Sequence, residues 1–459
     1  MRRTLSFLLS VTLLASCTVG PKYKRPEVTV PDQFRGASAS QSSAFADTAW
    51  WGGLTDDALR GLIEDAVKNG YDVRLAAWRV EEARANAGIA ASELYPAIQG
   101  SAGWSKTQQA FFPFQFQLPS QELYSVNIGL SWEIDLWGRI RHLKEAALAR
   151  YLATEEARRG VQISLVSDVA AGYFQLRALD FQLEIAKRTS EAFRGTQGLF
   201  QRRLEAGLAS TLETASATAS LATTNATIPE LERRIAEQEN RLSLLIGHPP
   251  REVPRGAPLE EQLLPPEVPI GLPSDLLKRR PDILEAEQQL VAANAQIGVA
   301  TADYFPRIAL TAVGGSQSSA LTRLFAGPAG LWTVGVAAVQ PVFEGGRIRN
   351  RVRFAEARVQ EVTAVYQRTV QQAFREVADA LVGYRKSQEV RTQQQQLTNA
   401  AEDATRLSNM RYRGGAASYL EVLDSETRSF TAQLALAQAE LRELQALVEI
   451  YRSLGGGWE

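Results

Sequence analysis

One cysteine, two histidines and no long apolar run are the first constraints on this 459-residue chain. Cys17 is the only cysteine, which excludes disulfides and cysteine-based metal sites within a single chain. The histidines, His142 and His248, stand in unrelated contexts, one at a helix start and the other before a proline pair, so no metal site is expected. There is no HExxH, no GxSxG, no Walker-type phosphate loop and no GxGxxG between a strand and a helix. An enzyme is therefore not expected, nor is a cofactor. Lys and Arg number 50 and Asp and Glu 51, which leaves no excess of positive charge for nucleic acid. After residue 17 no segment approaches the roughly eighteen apolar residues of a spanning helix. Proline is absent between Pro119 and Pro229 and again after Pro341, so long stretches lack the residue that breaks helices.

What is present begins with a signal. Arg2-Arg3, an apolar run from Leu5 to Ala15 and the sequence Leu14-Ala15-Ser16-Cys17 form a basic, apolar and small-residue progression. That is a secretory signal, too short to span a membrane. Its end resembles a bacterial lipobox, in which the cysteine is lipidated and becomes the first mature residue. Residues 1–16 are read as the signal peptide and Cys17 as the lipid anchor, its acyl chains held in a leaflet without crossing it. Residues 17–48 form an extended, polar and proline-punctuated segment.

The rest of the chain repeats itself. Gly138-Arg139-Ile140-Arg141 recurs as Gly346-Arg347-Ile348-Arg349, a shift of 347 − 139 = 208. The same shift pairs Arg203 with Arg411, Gly207 with Gly415, Ser210 with Ser418, Leu212-Glu213 with Leu420-Glu421 and Gly247 with Gly455. Gly88, Ala90 and Pro96 match Gly298, Ala300 and Pro306 at a shift of 210. Two copies result, 49–247 and 274–459, joined by a proline-rich linker over 248–273.

Each copy carries two segments of strict alternation, about 97–106 and 124–134 in the first, about 307–317 and 332–342 in the second. Tyr124, Val126, Ile128, Leu130, Trp132 and Ile134 interleave with polar and small residues, as membrane β-strands do. Glu133 and Asp135 could be imagined as an acid/base pair, but a solvated structural pair fits their place better. The remainder is helical. Gly138 to Thr189 alone would run about 80 Å as a helix. Leu434, Ala437, Leu441, Leu444, Val448 and Tyr451 form a heptad seam. Four membrane strands cannot close by themselves, because an open edge in lipid leaves backbone groups unsatisfied. Two chains would give eight strands and three would give twelve.

Several runs together resemble the outer-membrane factor (TolC-like) family, in particular its NodT-type efflux lipoproteins. They are Cys17-Thr18-Val19-Gly20-Pro21-Lys22-Tyr23, Trp50-Trp51, Trp132-Glu133-Ile134-Asp135-Leu136-Trp137-Gly138-Arg139, the stretch from Gly271 to Asp282 with Arg279-Arg280-Pro281-Asp282, and Leu454-Gly455-Gly456-Gly457-Trp458. The resemblance implies a mainly α fold with membrane β: a homotrimer with a twelve-stranded barrel, four strands per chain, continued by a twelve-helix periplasmic barrel and a mixed equatorial belt. It also implies a passive exit channel for small molecules in the bacterial outer membrane. Its partners would be outer-membrane lipid, a periplasmic adaptor and an inner-membrane transporter of the RND class. A type I protein-secretion duct and a non-conducting adaptor lipoprotein are the alternatives. By the same resemblance a periplasmic gate is expected at Leu420, Glu421 and Asp424, held by neighbours such as Arg411, Tyr412 or Arg413. Adaptor docking is expected at Gly207 and Ser210 and at Gly415 and Ser418. Proline at a helix start explains Arg279-Arg280-Pro281-Asp282 without a functional role.

Overall fold

The computed structural model describes residues 18–35, 56–108, 110–111, 116–117, 119–262 and 273–456. Cys17 and the Trp50-Trp51 pair lie outside them.

Repetition in the sequence becomes repetition of whole elements. Helix α1 (Asp57–Asn69) precedes α2 (Tyr71–Ser92), β1 (Ala97–Thr107), β4 (Gln121–Ile134), α3 (Arg139–Glu205) and α4 (Thr211–Leu245). Short α5 (Pro273–Arg279) then leads into α6 (Pro281–Ala302), β5 (Arg307–Ser318), β6 (Gly330–Val339), α7 (Arg347–Arg413) and α8 (Tyr419–Ser453). The counterparts α2 and α6 are both 22 residues long, α3 and α7 both 67, α4 and α8 both 35. The expected helix from Gly138 to Thr189 thus runs 16 residues further, to Glu205 (205 − 189). Helix α4 also continues through Pro229, although proline lacks the N–H that the helix would bond there.

Glycine stands at both starts and ends of the helices. Gly138 and Gly346 precede α3 and α7, whereas Gly207 and Gly415 follow α3 and α7 and Gly247 and Gly455 follow α4 and α8. All hold positive φ in matched pairs, 84° and 86°, 70° and 73°, 76° and 72°. A left-handed residue after the last turn lets the next N–H groups return to carbonyls of that turn. Leu208 N–H bonds the Arg203 carbonyl at 2.7 Å, and Ala416 N–H bonds the Arg411 carbonyl at 2.9 Å.

The described residues fall into two compact units, and each draws on both sequence copies. The first holds the segment up to Glu27, Arg79–Glu155 and Glu285–Gln367. Its centre is a four-stranded antiparallel sheet in the order β1-β4-β5-β6. The inner pair, β4 with β5, joins one copy to the other, while β1 and β6 are edges. Hairpin registers preserve the duplication: Ala97 faces Ser131 and Arg307 faces Val339, shifts of 307 − 97 = 210 and 339 − 131 = 208. Between β1 and β4 lie two short strands, β2 (Ala110–Phe111) and β3 (Phe116–Gln117), a small hairpin that the phenylalanine-rich composition does not announce.

The segment after the signal is tied down within this unit rather than merely lying along it. Val19 N–H donates to the Trp137 carbonyl at 3.1 Å, and His142 Nε2 donates to the Val19 carbonyl at 2.9 Å. Asn294 Nδ2 donates to the Pro21 carbonyl at 3.0 Å. Tyr23 and Arg25 both reach Glu287, Arg25 through two donors. Trp137 stacks on Phe305 at 4.6 Å and donates to the Pro306 carbonyl. Glu133 and Asp135 are structural, as expected, but half-buried rather than solvated. Glu133 takes a bidentate pair from Arg139, and Asp135 accepts from the N–H groups of Ile140 and Arg141, which opens α3.

The second unit contains Val28–Trp78, Glu156–Leu284 and Arg368–Glu459. Helices α1, α3 and α8 all contribute to its core; on α8, Ala437, Leu441, Leu444, Val448 and Tyr451 are buried along the expected seam while Leu434 is half-exposed. Leu436, Ala439, Leu447 and Ile450 are buried as well, so the helix packs on two sides and not along one stripe. The linker is fastened here. Buried Asp56 accepts from Tyr173 Oη at 2.8 Å, Ala257 N–H at 3.1 Å and Gln262 Nε2 at 2.8 Å. Arg280 is 7% exposed and binds Asp282, Glu376 and the Ser453 carbonyl, with Gly455 packed against its backbone. Pro281 is the first residue of α6. The structural reading of Arg280-Pro281-Asp282 therefore holds, and the Leu454-Gly455 run is its partner. Among the described residues no helix is long and apolar enough to cross a membrane.

Candidate functional site

The expected gate and docking residues all belong to the second unit, at its two helix turns. The first turn joins α3 to α4 through Ala206–Ser210, and the second joins α7 to α8 through Gly414–Ser418. A Cβ placed on Gly207 or Gly415 would meet nothing within 4 Å, so both glycines serve backbone conformation and leave open surface around them.

Beyond the glycines the two turns part company. In the first, Ser210 caps α4: Glu213 N–H donates to Ser210 Oγ at 3.3 Å, and Ser210 N–H donates to Glu213 Oε2 at 2.8 Å. That reciprocal box satisfies two donors that a helix start leaves unpaired. In the second, Ser418 occupies the same place without a side-chain cap. Glu421, the counterpart of Glu213, instead accepts from Arg411 at 2.7 Å, and Arg411 also reaches the Ala416 carbonyl. Arg411 thus holds the turn that follows its own helix.

Its first-copy counterpart, Arg203, donates to Tyr412 Oη at 2.5 Å. The contact belongs to an aromatic cluster in which Phe200 lies 4.1 Å from Tyr419 and 6.3 Å from Tyr412 between ring centres. Buried Ala217 and Val422 complete it. The Arg203 guanidinium also stands 6.0 Å from the Phe200 ring centre. Burial pushes the Tyr419 phenol well above its ordinary range, with the Glu426 carboxylate adding to the effect. Glu426 is itself raised by burial, against a hydrogen bond from Asn409.

Leu420 and Asp424 lie one turn apart on α8, and both are exposed. A groove of about 920 Å³ between α7 and α8 is lined by Leu397, Leu407, Met410, Arg411, Asp424 and Arg428. Asp424 is paired on its own helix: Arg428 Nε stands 2.9 Å from its Oδ2. An acid followed four residues later by arginine on a helix was a legible signal of this pair. Arg203, Phe200 and Tyr419 carried none, because their roles depend on which helices become neighbours. Of the expected holding groups, Arg411 and Tyr412 make contacts and both lie at the turn.

The model of the family described as "Outer membrane efflux protein" matches residues 62–248 and 272–456. The toluene efflux pump outer membrane protein TtgC of Pseudomonas putida is 35% identical over 99% of this chain and 95% of its own length. The probable outer membrane lipoprotein SilC of Salmonella typhimurium is 34% identical, over 98% of each chain. Among solved structures, the MtrE outer membrane channel of Neisseria gonorrhoeae, in its open state, superposes with a TM-score of 0.86 at 31% identity. That match covers 96% of this chain and 99% of MtrE.

Proposed function

We propose that this chain, which belongs to the outer membrane efflux protein family, is the outer-membrane exit channel of a tripartite efflux system and conducts small molecules passively to the exterior. The observation that carries this reading is a sheet of four alternating strands with two open edges, in a chain that continues into helices of 67 residues. Edges left open in lipid are unsatisfied, so the sheet closes only with further copies. Three copies give the twelve-stranded barrel. Its role is conduction, without catalysis and without a bound cofactor.

Cys17 carries the lipid that anchors the mature chain, and the described segment that follows is held by Thr18 against Gly138 and by Val19 on the Trp137 carbonyl. A periplasmic adaptor docks at the two turns, on Gly207 and Ser210 and on Gly415 and Ser418, and links the channel to an inner-membrane transporter of the RND class. The gate lies on α8. Leu420 narrows the path, Glu421 is held by Arg411, and Asp424 is held by Arg428. Arg203 and Tyr412 tie the second-copy turn to the first-copy helix.

Purified protein in detergent is expected to give three chains by native mass spectrometry and defined single-channel steps in planar bilayers. A monomer that conducts nothing would overturn the reading.

A further inference from the structure

Where the sheet passes into the long helices, the duplication makes two equivalent helix faces, and only one of them is filled. In the first copy Thr18 packs so tightly on Gly138 that a Cβ there would clash. The next residue bonds His142, whose Nδ1 stands 3.0 Å from Glu145. The counterparts in the second copy are Gly346, Asn350 and Arg353, and no segment crosses them. Around Gly346, only the side chains of Arg349 and Asn350 would come within 4 Å of an added Cβ among the described residues. Resting on the reading of Cys17 as the lipid anchor of an outer-membrane barrel, we infer that this second face binds a free anionic phospholipid of the same leaflet. Arg349 and Arg353 hold its phosphate, and Val342 and Phe343 lie among its acyl chains.

Charge separates the two faces. Residues 133–145 carry Glu133, Asp135 and Glu145 against Arg139, Arg141 and Lys144, three acids and three bases. The equivalent residues 341–353 carry Glu344 against Arg347, Arg349, Arg351 and Arg353, a net charge of 4 − 1 = +3. The three acids of the first copy are replaced by Pro341, Phe343 and Arg353. Glu344 pairs with Arg347, and Asp303 pairs with Arg351 at 3.1 Å. Arg349 and Arg353, both exposed and one turn apart, are thus left without a carboxylate among the described residues. Arg141, the counterpart of Arg349, does have one, Asp135 at 3.1 Å. A phosphate diester suits two such guanidinium groups, whose planar donors match its oxygens.

Position selects a lipid over a soluble anion. Val342 is the counterpart of Ile134 and continues the apolar face of β6 formed by Trp332, Val334, Val336 and Ala338. In a closed barrel that face meets hydrocarbon. Val342 is 96% exposed and Phe343 89%. In a barrel built from the repeat, residues offset by 208 share a height along its axis. Gly346 therefore lies level with Gly138, beside which the acyl chains of Cys17 enter the leaflet. Apolar side chains followed by arginines reproduce the order of acyl chain and headgroup.

Native mass spectrometry of the full chain in detergent, titrated with phosphatidylglycerol or with phosphatidylethanolamine, counts the lipids retained. Phosphatidylglycerol is expected to bind preferentially, one per chain, and Arg349→Gln with Arg353→Gln to weaken that binding about thirty-fold. Arg358→Gln, which removes an exposed arginine paired with Glu361 at 2.6 Å, should leave it unchanged. Equal binding of the two lipids by the unaltered protein, or unchanged binding in the double variant, would overturn the proposal. Displacement of the lipid by excess inorganic phosphate would assign the site to a soluble anion and overturn it too. A double variant whose trimer dissociates more readily in lipid-free detergent, with lipid counts unchanged, would assign the arginines to carboxylates of a neighbouring copy instead. An unmodified Cys17 with preferential binding intact would remove the anchor and leave the site standing. A monomer would overturn the oligomeric reading, and the same comparison of headgroups would then decide the site in that monomer.

Discussion

Arg203 donates to the Tyr412 hydroxyl at 2.5 Å, whereas Arg411, its counterpart in the second copy, donates to Glu421 at 2.7 Å. Two residues that the duplication made equivalent thus hold different parts of the same region. One ties the first-copy helix to the second-copy turn, and the other ties that turn to its own helix. Tyr412→Phe keeps the ring against Phe200 and removes the hydroxyl. If this link holds the channel closed, the variant should raise single-channel conductance or open probability, and Arg203→Ala should do the same. The double variant should add little to either, because one contact is lost in each case. Additive effects would assign the two residues to separate roles.

The Asp424–Arg428 pair makes removal of either charge informative. Three-fold repetition would turn each residue into a ring. Asp424→Ala leaves the arginines uncompensated and should shift selectivity toward anions, while Arg428→Ala leaves the carboxylates and should favour cations and strengthen block by divalent cations. Leu420→Ser should raise conductance. Reversal potentials in asymmetric salt separate these outcomes, and unchanged values in all three variants would place the constriction elsewhere.

Capping differs between the turns, and stability should follow. Ser210→Ala removes the hydroxyl that accepts from Glu213 N–H and keeps the backbone N–H that bonds the Glu213 carboxylate, at a cost of about 1 kcal/mol, whereas Ser418→Ala should cost far less because no side-chain cap exists there. Amide exchange should quicken at residues 211–214 in the first variant and stay nearly constant at 419–422 in the second. Photocrosslinkers placed at 210 and 418 test docking at the same turns, and adaptor capture at neither would exclude them.

Glu440 makes stability depend on pH. It is buried on α8, and that burial is the main cause lifting its carboxyl above the ordinary 4.5, with Arg391 at 3.9 Å pulling it down and Glu260 and Glu443 pushing it up. A carboxyl raised on folding binds its proton more tightly in the native state. The resulting stability is complete below the ordinary pKa and is lost as pH rises through the raised one. Glu440→Gln keeps the neutral shape, so it should raise Tm near neutrality and change it little in acid. Equal shifts at both pH values would deny a role for ionisation.

Lipidation predicts a mass. Protein extracted from membranes should begin at Cys17 and carry a diacylglyceryl group with a further acyl chain on its amine. Cys17→Ala behind a replacement signal should still assemble, because closure of the sheet does not depend on the anchor. An unmodified Cys17 in the intact mass would remove the anchor from the account.

The sequence by itself determined the elements and their duplication. Period-two alternation fixed the four strands to within a few residues, the proline-free stretches gave the long helices, and the shifts of 208 and 210 reappear in strand register and helix length. These are local properties, written in the period of apolar residues and in where glycine and proline stand. The expected gate residues came from the family resemblance, and the expected docking residues from repeat positions beside glycines. Tertiary structure alone decided that Glu213 closes a cap while Glu421 turns to Arg411, that Tyr419 and Phe200 share a cluster, and that Arg280 is buried against Glu376 and the end of α8. Apart from the local Ser210–Glu213 cap, those outcomes depend on which side chains the packed helices bring into contact. No periodicity encodes that contact, because packing of whole helices fixes it.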